Sequence, residues 1–212
     1  MAREPQSVVA TRLRRLDRAF SGVISRHGPP PTRRPVPVAS RFSTLAMAIL
    51  HQQLAGAAAA AIHRRVLTCV GDPITASGLL AAGEDDLAAC GVSGPKRRSL
   101  SDLAAKTLDG TVDLASLGRR TDDEVTAVLT SIRGIGPWTA HMFCITALAR
   151  PDVWPTGDFG VRAGWTALHG GGEMVTPNAL YDLGERFRPH RSAVAWYCWR
   201  ALEDDRADRP AQ

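Results

Sequence analysis

This sequence of 212 residues contains very little lysine and no closely spaced cysteines. It has only two lysines, and its four cysteines lie far apart, with no C-x-x-C pair and no tight Cys/His cluster. That spacing argues against a zinc site or an iron–sulfur cluster and predicts that all four cysteines are small core residues. The longest strongly apolar run, residues 54–62, is about half as long as a membrane span. We therefore expect a cytoplasmic protein (nucleoid-associated if bacterial) that does not enter a membrane.

Arginine supplies almost all of the positive charge. Lys+Arg 26 exceed Asp+Glu 21, and the formal net charge is +5. Because arginine binds phosphate through a bidentate fork and stacks on bases, this excess indicates a nucleic-acid partner. A genome rich in G and C would also favour arginine over lysine, and the charge alone does not separate these two explanations.

Alternating apolar and polar residues, which would predict β-strands, are also lacking. Apolar residues instead recur at steps of three and four, beginning with a predicted helix over residues 8–26. Residues 28–38 contain five prolines and predict a linker, after which Ser40 is a candidate N-cap. The pattern from Thr121 to Glu124 has the form of a capping box and opens a later helix. The sequence therefore predicts an all-α array of helices with short loops.

The most informative segment is LTSIRGIGPWT at residues 129–139. Two helices joined by Gly134-Ile135-Gly136 form a sharp turn, in which glycine permits backbone conformations closed to other residues. Amides at the start of the second helix can bind an anion such as a nucleic-acid phosphate. A tight helix–helix turn without a ligand would have the same sequence.

Four further blocks give this hairpin a context. They are AILHQQL at 48–54, a G-V-S…K…DLA block at 91–104, WPTGDFG at 154–160, and the segment from FRPHRS to Trp199 at 187–199. Together with the hairpin they resemble the helix–hairpin–helix DNA glycosylases that carry a Gly/Pro/Asp motif. Within that superfamily they are similar to the alkylbase branch, the 3-methyladenine DNA glycosylase II type. The resemblance covers about residues 40–204.

The resemblance implies a fold, an activity and a partner. The fold would be all-α, a helix–hairpin–helix DNA glycosylase with two helical lobes and a cleft between them. Residues 1–38 would be an N-terminal helix, able to pack on the C-terminal lobe, and a proline-rich linker; residues 39–212 would be the core, with the hairpin at about 129–140. The activity would be hydrolysis of the N-glycosidic bond of alkylated purines, such as 3-methyladenine and 7-methylguanine, in base excision repair. We expect a monomer that acts on damaged double-stranded DNA.

By the same resemblance Asp158 is the catalytic residue. Breaking the glycosidic bond develops oxocarbenium charge on the sugar, and a carboxylate beside C1′ stabilises that charge and can orient or deprotonate the attacking water. At the predicted start of a helix the ionised carboxylate is favoured by the helix dipole, whereas burial would disfavour it. The alternative is that Asp158 is an ordinary N-cap.

Aromatic residues are expected to form the base pocket, because electron-rich rings favour a positively charged alkylpurine through cation–π contact. Trp138 also separates branches of the family, since bifunctional relatives carry a lysine at this position and an indole cannot form their Schiff base. We therefore expect a glycosylase without lyase activity. Core packing is the alternative for each aromatic residue. The resemblance assigns to the pocket Trp138, Trp199, Phe159 and Met142.

Contacts with DNA are assigned to two segments, and neither a cofactor nor a catalytic metal is expected. One segment matches the family's intercalating turn, which fills the space left by a flipped base, although a polar helix end would look the same. The other is the hairpin, where family members often also bind a structural monovalent cation through backbone carbonyls. The turn residues are Gln52, Gln53 and Leu54. The phosphate-binding residues are Gly134, Gly136 and Thr139.

Two other functions stay open. A family member could act on deaminated or oxidised bases; such lesions are neutral, and His141 or His190 would then have to supply a general acid. A non-catalytic DNA-binding module would keep the hairpin, but it would need neither Asp158 nor the two tryptophans.

Overall fold

The structure is a computed structural model that describes residues 4–54 and 56–208. Over these residues it contains eleven α-helices, four short 3₁₀-helices and no strand, which confirms the predicted all-α class. No helix within the described ranges is long and apolar enough to cross a membrane. The α-helices are α1 (Gln6–Leu16), α2 (Ser21–His27), α3 (Arg41–His51), α4 (Gly56–Val70), α5 (Ala76–Ala89), α6 (Gly94–Leu108), α7 (Asp122–Thr130), α8 (Pro137–Thr146), α9 (Phe159–Leu168), α10 (Pro177–Gly184) and α11 (Arg191–Asp208).

The chain divides into two compact units. The first comprises the described parts of Met1–Arg34 and Ala149–Gln212, so it is assembled from both ends of the sequence. The second comprises the described part of the continuous segment Pro35–Leu148.

Helix α11 lies at the centre of the first unit, where it packs against α2 and α9. Leu13 and Phe20 from the N-terminal segment are fully buried in the same apolar cluster as Phe187 and Tyr197. The Phe20 ring makes edge-to-face contacts with Phe187 at 5.7 Å and with Tyr197 at 6.3 Å between ring centroids. The Tyr197 hydroxyl in turn donates to the carbonyl oxygen of Gly28 at 2.9 Å. The N-terminal helices are therefore part of this core.

The second unit is built from α3 to α8. Helix α3 packs against α4 and α6, and α7 packs against α8. Leu45 and Ile49 on α3, Leu103 on α6 and Leu129 on α7 are fully buried. Leu45 and Ile49 are four residues apart, and buried Leu100 and Val125 stand three and four residues before Leu103 and Leu129, which is the spacing that puts apolar side chains on one helical face.

Two local predictions are wrong, those for residues 8–26 and for Cys69, and a third, Ser40 as the N-cap of α3, is confirmed in position but not in its capping bond. Residues 8–26 are not one helix, because Asp17 adopts an extended conformation and its carboxylate accepts a hydrogen bond from the Ala19 backbone N–H at 3.0 Å. Ser40 makes no capping bond through its side chain; its carbonyl oxygen instead accepts from the Thr44 hydroxyl at 2.8 Å. Cys69 is exposed, since it faces outward from α4. The other three cysteines are buried, as predicted.

Candidate functional site

The hairpin between α7 and α8 begins with the predicted capping box. The Thr121 hydroxyl accepts from the Glu124 backbone N–H at 3.2 Å, and the Glu124 carboxylate accepts from the Thr121 backbone N–H at 2.7 Å, which confirms that prediction. Gly136 is the N-cap of α8, and Pro137 is its first residue. The first turn of α8 therefore presents backbone N–H groups and the positive end of a helix dipole, an arrangement that favours an anion.

Position 134 requires glycine for two reasons, its backbone conformation and the lack of space for a Cβ. Its φ of 76° lies in the left-handed region, and a Cβ built on it would lie 2.3 Å from the Ser99 Oγ. Gly134 and Gly136 are exposed, whereas Thr139 is buried. The two glycines are thus accessible to a phosphate, while Thr139 belongs to a cavity wall.

Two side chains of α6, Asp102 and Lys106, form hydrogen bonds with the backbone of the hairpin. The Asp102 Oδ2 accepts from the Arg133 backbone N–H at 2.7 Å and from the Lys106 Nζ at 2.9 Å. The Lys106 Nζ also donates to the carbonyl oxygen of Ser131. Burial alone would raise the pKa of Asp102, but the hydrogen bonds from Arg133 and Lys106 hold it below its ordinary value. Sequence reasoning gave neither residue a role, although their four-residue spacing on a helix places them on one face.

Replacing Asp102 with alanine is expected to loosen the hairpin. The Arg133 amide would lose its acceptor, and because this amide is exposed, water can replace the carboxylate, so the loss is about 0.5–1.5 kcal/mol. Because the pKa of Asp102 lies below its ordinary value, this stabilisation is present at neutral pH and is lost as the pH falls through the folded-state pKa. The measurements are amide hydrogen exchange at Arg133 by NMR and the free energy of unfolding in urea.

Asp109→Ala is the matched control for that substitution. Asp109 follows α6 and accepts from the Thr111 backbone N–H at 2.8 Å in an exposed turn. Its removal should leave exchange at Arg133 unchanged. Equal acceleration in both variants would show that Asp102 does not hold the hairpin.

The turn after α3 is tied to the hairpin by a side chain. The Gln52 Nε2 donates to the carbonyl oxygen of Gly134 at 3.0 Å. The next residue, Gln53, has a φ of 54°, and Leu54 is 37% exposed. The three predicted turn residues therefore differ, because Gln52 bonds within the protein while Gln53 and Leu54 are presented outward.

A cavity of about 510 Å³ opens in the second unit beside this turn. Its walls are mainly apolar with a few hydroxyl and amide groups, the usual composition of a small-molecule site. The lining residues that sequence reasoning missed repeat at helical spacing on α3 and α8, and that spacing could have identified them. Six lining residues were predicted site residues: Gln52, Gln53, Gly134, Trp138, Thr139 and Met142. The others are Thr44, Ala48, His51, Phe143 and Thr146.

Asp158 is the N-cap of α9 in the first unit and is buried. Its Oδ1 accepts from the Val161 backbone N–H at 2.7 Å and from the Trp199 Nε1 at 3.0 Å. The alternative of an N-cap therefore describes the local structure correctly. Capping does not require the second bond, however, and the indole of α11 fixes the carboxylate from a second helix.

Gly160 permits this contact between Trp199 and Asp158. A Cβ at Gly160 would lie 2.9 Å from the Trp199 Cδ1 and 3.1 Å from the Asp158 Oδ1, so a larger residue would displace the indole. Sequence reasoning did not single out Gly160, although it lies within the block at 154–160.

Two of the predicted pocket rings are largely exposed: Phe159 is 59% exposed and Trp138 is 52% exposed. Core packing therefore does not explain either ring.

The two histidines considered as general acids have other surroundings. His190 is buried, and its Nε2 lies 2.9 Å from the Glu4 carboxylate and 3.3 Å from the Arg12 guanidinium. Burial lowers the pKa of His141, although two acidic residues at the start of α7 act in the opposite direction. His141 is not among the described residues that line the cavity. The contacts of His190, and the position of His141 outside the described cavity lining, favour structural roles for both.

The sequence is similar to a family of DNA repair proteins and to individual members of that family. A family model described as "HhH-GPD superfamily base excision DNA repair protein" matches residues 46–189, which include the hairpin and Asp158. DNA-3-methyladenine glycosylase 1 of Schizosaccharomyces pombe is 33% identical over 162 residues, covering 75% of this chain and 71% of the relative.

Two solved structures extend the similarity to the fold. The crystal structure of a DNA-3-methyladenine glycosidase from Bacillus halodurans matches with a TM-score of 0.84 at 28% identity, over 97% of this chain and 92% of that one. The Schizosaccharomyces pombe 3-methyladenine DNA glycosylase in complex with abasic DNA matches with a TM-score of 0.79 at 29% identity, over 90% of this chain and 94% of that one.

Proposed function

The chain belongs to the HhH-GPD superfamily of base excision DNA repair proteins, and from this membership we propose that it is a monofunctional DNA glycosylase for alkylated purines. The names of similar proteins support 3-methyladenine as a substrate, and we extend the proposal to 7-methylguanine because it is likewise a cationic N-alkylated purine. The observation that carries the proposal is the buried Asp158 carboxylate, which Val161 and Trp199 hold at the start of α9. We expect the protein to act as a monomer on damaged double-stranded DNA.

The reaction breaks the C1′–N bond of a nucleotide whose base has been flipped out of the duplex. The bonding electron pair leaves with the base, and a purine that was cationic because of its N-alkyl group departs neutral without needing a proton. Positive charge develops on the sugar, and the Asp158 carboxylate would stabilise it. The oxygen of a water molecule then bonds to C1′, and the proton passes to Asp158 or to solvent. The products are the free purine and an intact abasic site.

The two hydrogen bonds to Asp158 would contribute by fixing its orientation in advance. A backbone N–H and an indole N–H hold the Oδ1, so the carboxylate needs no reorganisation as the sugar becomes positive. In this proposal Trp199 acts first as a positioning residue, through its bond to Asp158. The predicted pocket roles of Trp199 and the exposed Phe159 stay part of the proposal.

The positions of the two lysines support the absence of lyase activity. Lys96 donates to the carbonyl oxygen of Leu50, and Lys106 donates to the Asp102 carboxylate, which also binds the hairpin. Trp138 stands where bifunctional relatives carry the lysine that forms a Schiff base, and an indole cannot form an imine. The DNA strand would therefore stay intact after base release.

The cavity of the second unit would receive the flipped base. Its volume of about 510 Å³ lies within the range of small-molecule sites. The Trp138 ring offers a π face to a cationic purine, which is attracted by the ring quadrupole. Met142 supplies a polarizable apolar wall, and the buried Thr139 contributes to the cavity rather than to the protein surface.

The hairpin and the turn after α3 would bind the rest of the substrate. Backbone amides at Gly134 and Gly136 would hold a phosphate, while Gln53 and Leu54 would enter the space that the flipped base leaves. Gln52 would keep the turn against the hairpin through its bond to Gly134.

A monovalent cation at the hairpin is not needed in this account. The Ser131 and Gly134 carbonyls each accept a hydrogen bond, from the side chains of Lys106 and Gln52, and each oxygen keeps a second lone pair, so a structural cation at the hairpin stays part of the proposal. No step of the reaction runs through such an ion.

The test is incubation of the full chain with N-methylated duplex DNA, followed by quantification of freed purines and of strand breaks with and without alkali. Release of 3-methyladenine or 7-methylguanine, with breaks only after alkali, is expected. Breaks without alkali would overturn the monofunctional assignment. Release of deaminated or oxidised bases alone would indicate a glycosylase for another lesion, and salt-dependent DNA binding without any release would indicate a binding module.

A further inference from the structure

One cavity residue, His51, is a titratable group that the proposed mechanism does not use. It is the last residue of α3, and it is an exposed residue of the cavity lining. The His63 ring of α4 meets it edge to face, with 5.6 Å between ring centroids and an angle of 75° between the planes. Two histidine rings therefore stand together where a flipped base would enter.

The ionisable groups near His51 are a second histidine and a lysine, and neither is acidic. His63 faces it from α4, and Lys96 of α6 lies close by, where its Nζ donates to the Leu50 carbonyl oxygen at 2.6 Å. The 3₁₀ segment Val38–Ser40, which also packs against α3, has no titratable side chain. The described cavity lining contains no aspartate or glutamate. Partial burial, followed by the effects of His63 and Lys96, lowers the pKa of His51.

These surroundings make protonation of His51 consequential for a cavity that receives charged bases. A neutral imidazole adds an aromatic edge and a hydrogen-bonding group without adding positive charge. An imidazolium would put a cation at the mouth of a cavity that has no described carboxylate in its lining to offset it. A cationic base would be repelled by it, whereas a neutral base would not.

We propose that His51 is a specificity-determining residue of this cavity, which admits a cationic alkylated base while its imidazole is neutral and disfavours that base once it is protonated. The inference rests on the proposed function, because it assumes that the cavity receives the flipped base. His63 acts through His51, because two imidazolium rings in edge-to-face contact would repel each other, and protonation of both rings is disfavoured.

The experiment compares single-turnover release from two duplexes that differ only in the lesion, cationic 7-methylguanine or neutral hypoxanthine. The ratio of the two rates cancels ionisations that both substrates share, including those of the catalytic machinery. In the wild type the ratio should fall about tenfold between about pH 7.5 and pH 5, with most of the fall on the acid side of the ordinary histidine range because the pKa of His51 is lowered. His51→Gln should abolish most of this fall, and His63→Gln should move it to higher pH because one positive neighbour is removed.

His27→Gln is the control, since His27 bonds to Asp204 in the first unit and does not line the cavity. Its ratio should follow that of the wild type. The same pH dependence of the ratio in His51→Gln as in the wild type would overturn the inference, as would a shift to lower pH in His63→Gln.

A measurement of DNA affinity distinguishes failure of this inference from failure of the proposed function. If the wild type releases neither base, the proposed function fails, and the same ratio is then taken from the affinities for the two duplexes. A pH-dependent affinity ratio that His51→Gln removes would keep His51 as a specificity residue of a binding protein. An affinity ratio that His51→Gln leaves unchanged would reject the inference as well.

Discussion

Replacing Asp158 with asparagine is expected to reduce the rate of base release by a factor of about 10² to 10³ or more, in line with the loss of one preorganised electrostatic group. The amide oxygen can still accept from the Val161 N–H and the Trp199 indole, because asparagine is as good an N-cap as aspartate. Only the negative charge disappears. The variant should therefore fold normally and still bind damaged DNA, which circular dichroism and binding to an abasic duplex would check.

Two companion variants separate catalysis from capping. Asp158→Ala removes the charge and the cap together, so it should lose base release and also about 1 kcal/mol of stability. Thr176→Ala removes the equivalent cap of α10, where the Thr176 hydroxyl accepts from the Ala179 N–H at 3.3 Å, and it should lose the stability alone. Wild-type release by Asp158→Asn would show that Asp158 is only an N-cap.

Gly164→Ala is expected to destabilise the protein by about 3 kcal/mol, the upper end of the usual cost of overpacking. A Cβ on Gly164 would lie 1.8 Å from the carbonyl oxygen of Cys198 and 2.5 Å from its carbonyl carbon. Backbone atoms cannot rotate away as a side chain can, so α9 and α11 would have to separate. For a chain of this size that corresponds to a fall of about 6–12 °C in Tm, measured by calorimetry.

The same substitution at Gly22 provides the control. Gly22 lies within α2 of the same unit, and a Cβ there would meet nothing within 4 Å. Alanine should stabilise that helix by up to about 1 kcal/mol, since it restricts the unfolded chain and has the higher helix propensity. A Tm for Gly164→Ala equal to or above that of the wild type would mean that α9 and α11 are not packed as closely as the structure has them.

Features encoded by neighbouring residues could be predicted from the sequence. The capping box joins Thr121 and Glu124 across three positions, and the Gly134-Ile135-Gly136 turn is visible as a break between two apolar patterns. The break at Asp17 was missed because the apolar spacing continues across it. Periodicity reports which residues face the core, and it does not report whether the backbone stays helical between them.

Contacts between distant residues could not be predicted in the same way. Asp102 and Arg133 are 31 positions apart, and Gln52 and Gly134 are 82 positions apart. Their pairing depends on how α3, α6 and the hairpin pack together, which no local pattern specifies. The same holds for His51, since its position beside His63 and the cavity follows from the fold and not from a local pattern. The family resemblance identified motif positions, and the structure supplied the partners of those positions.

The division of the first unit between both ends of the chain has a consequence for the order in which the protein forms during translation. The second unit is one continuous segment, so it can fold as soon as it leaves the ribosome. The apolar face that includes Leu13 and Phe20 is synthesised before the second unit, yet its partners Phe187 and Tyr197 are synthesised after it. The N-terminal helices must therefore wait, with that face exposed, until α11 emerges. This interval is when the nascent chain is most open to chaperones and to aggregation.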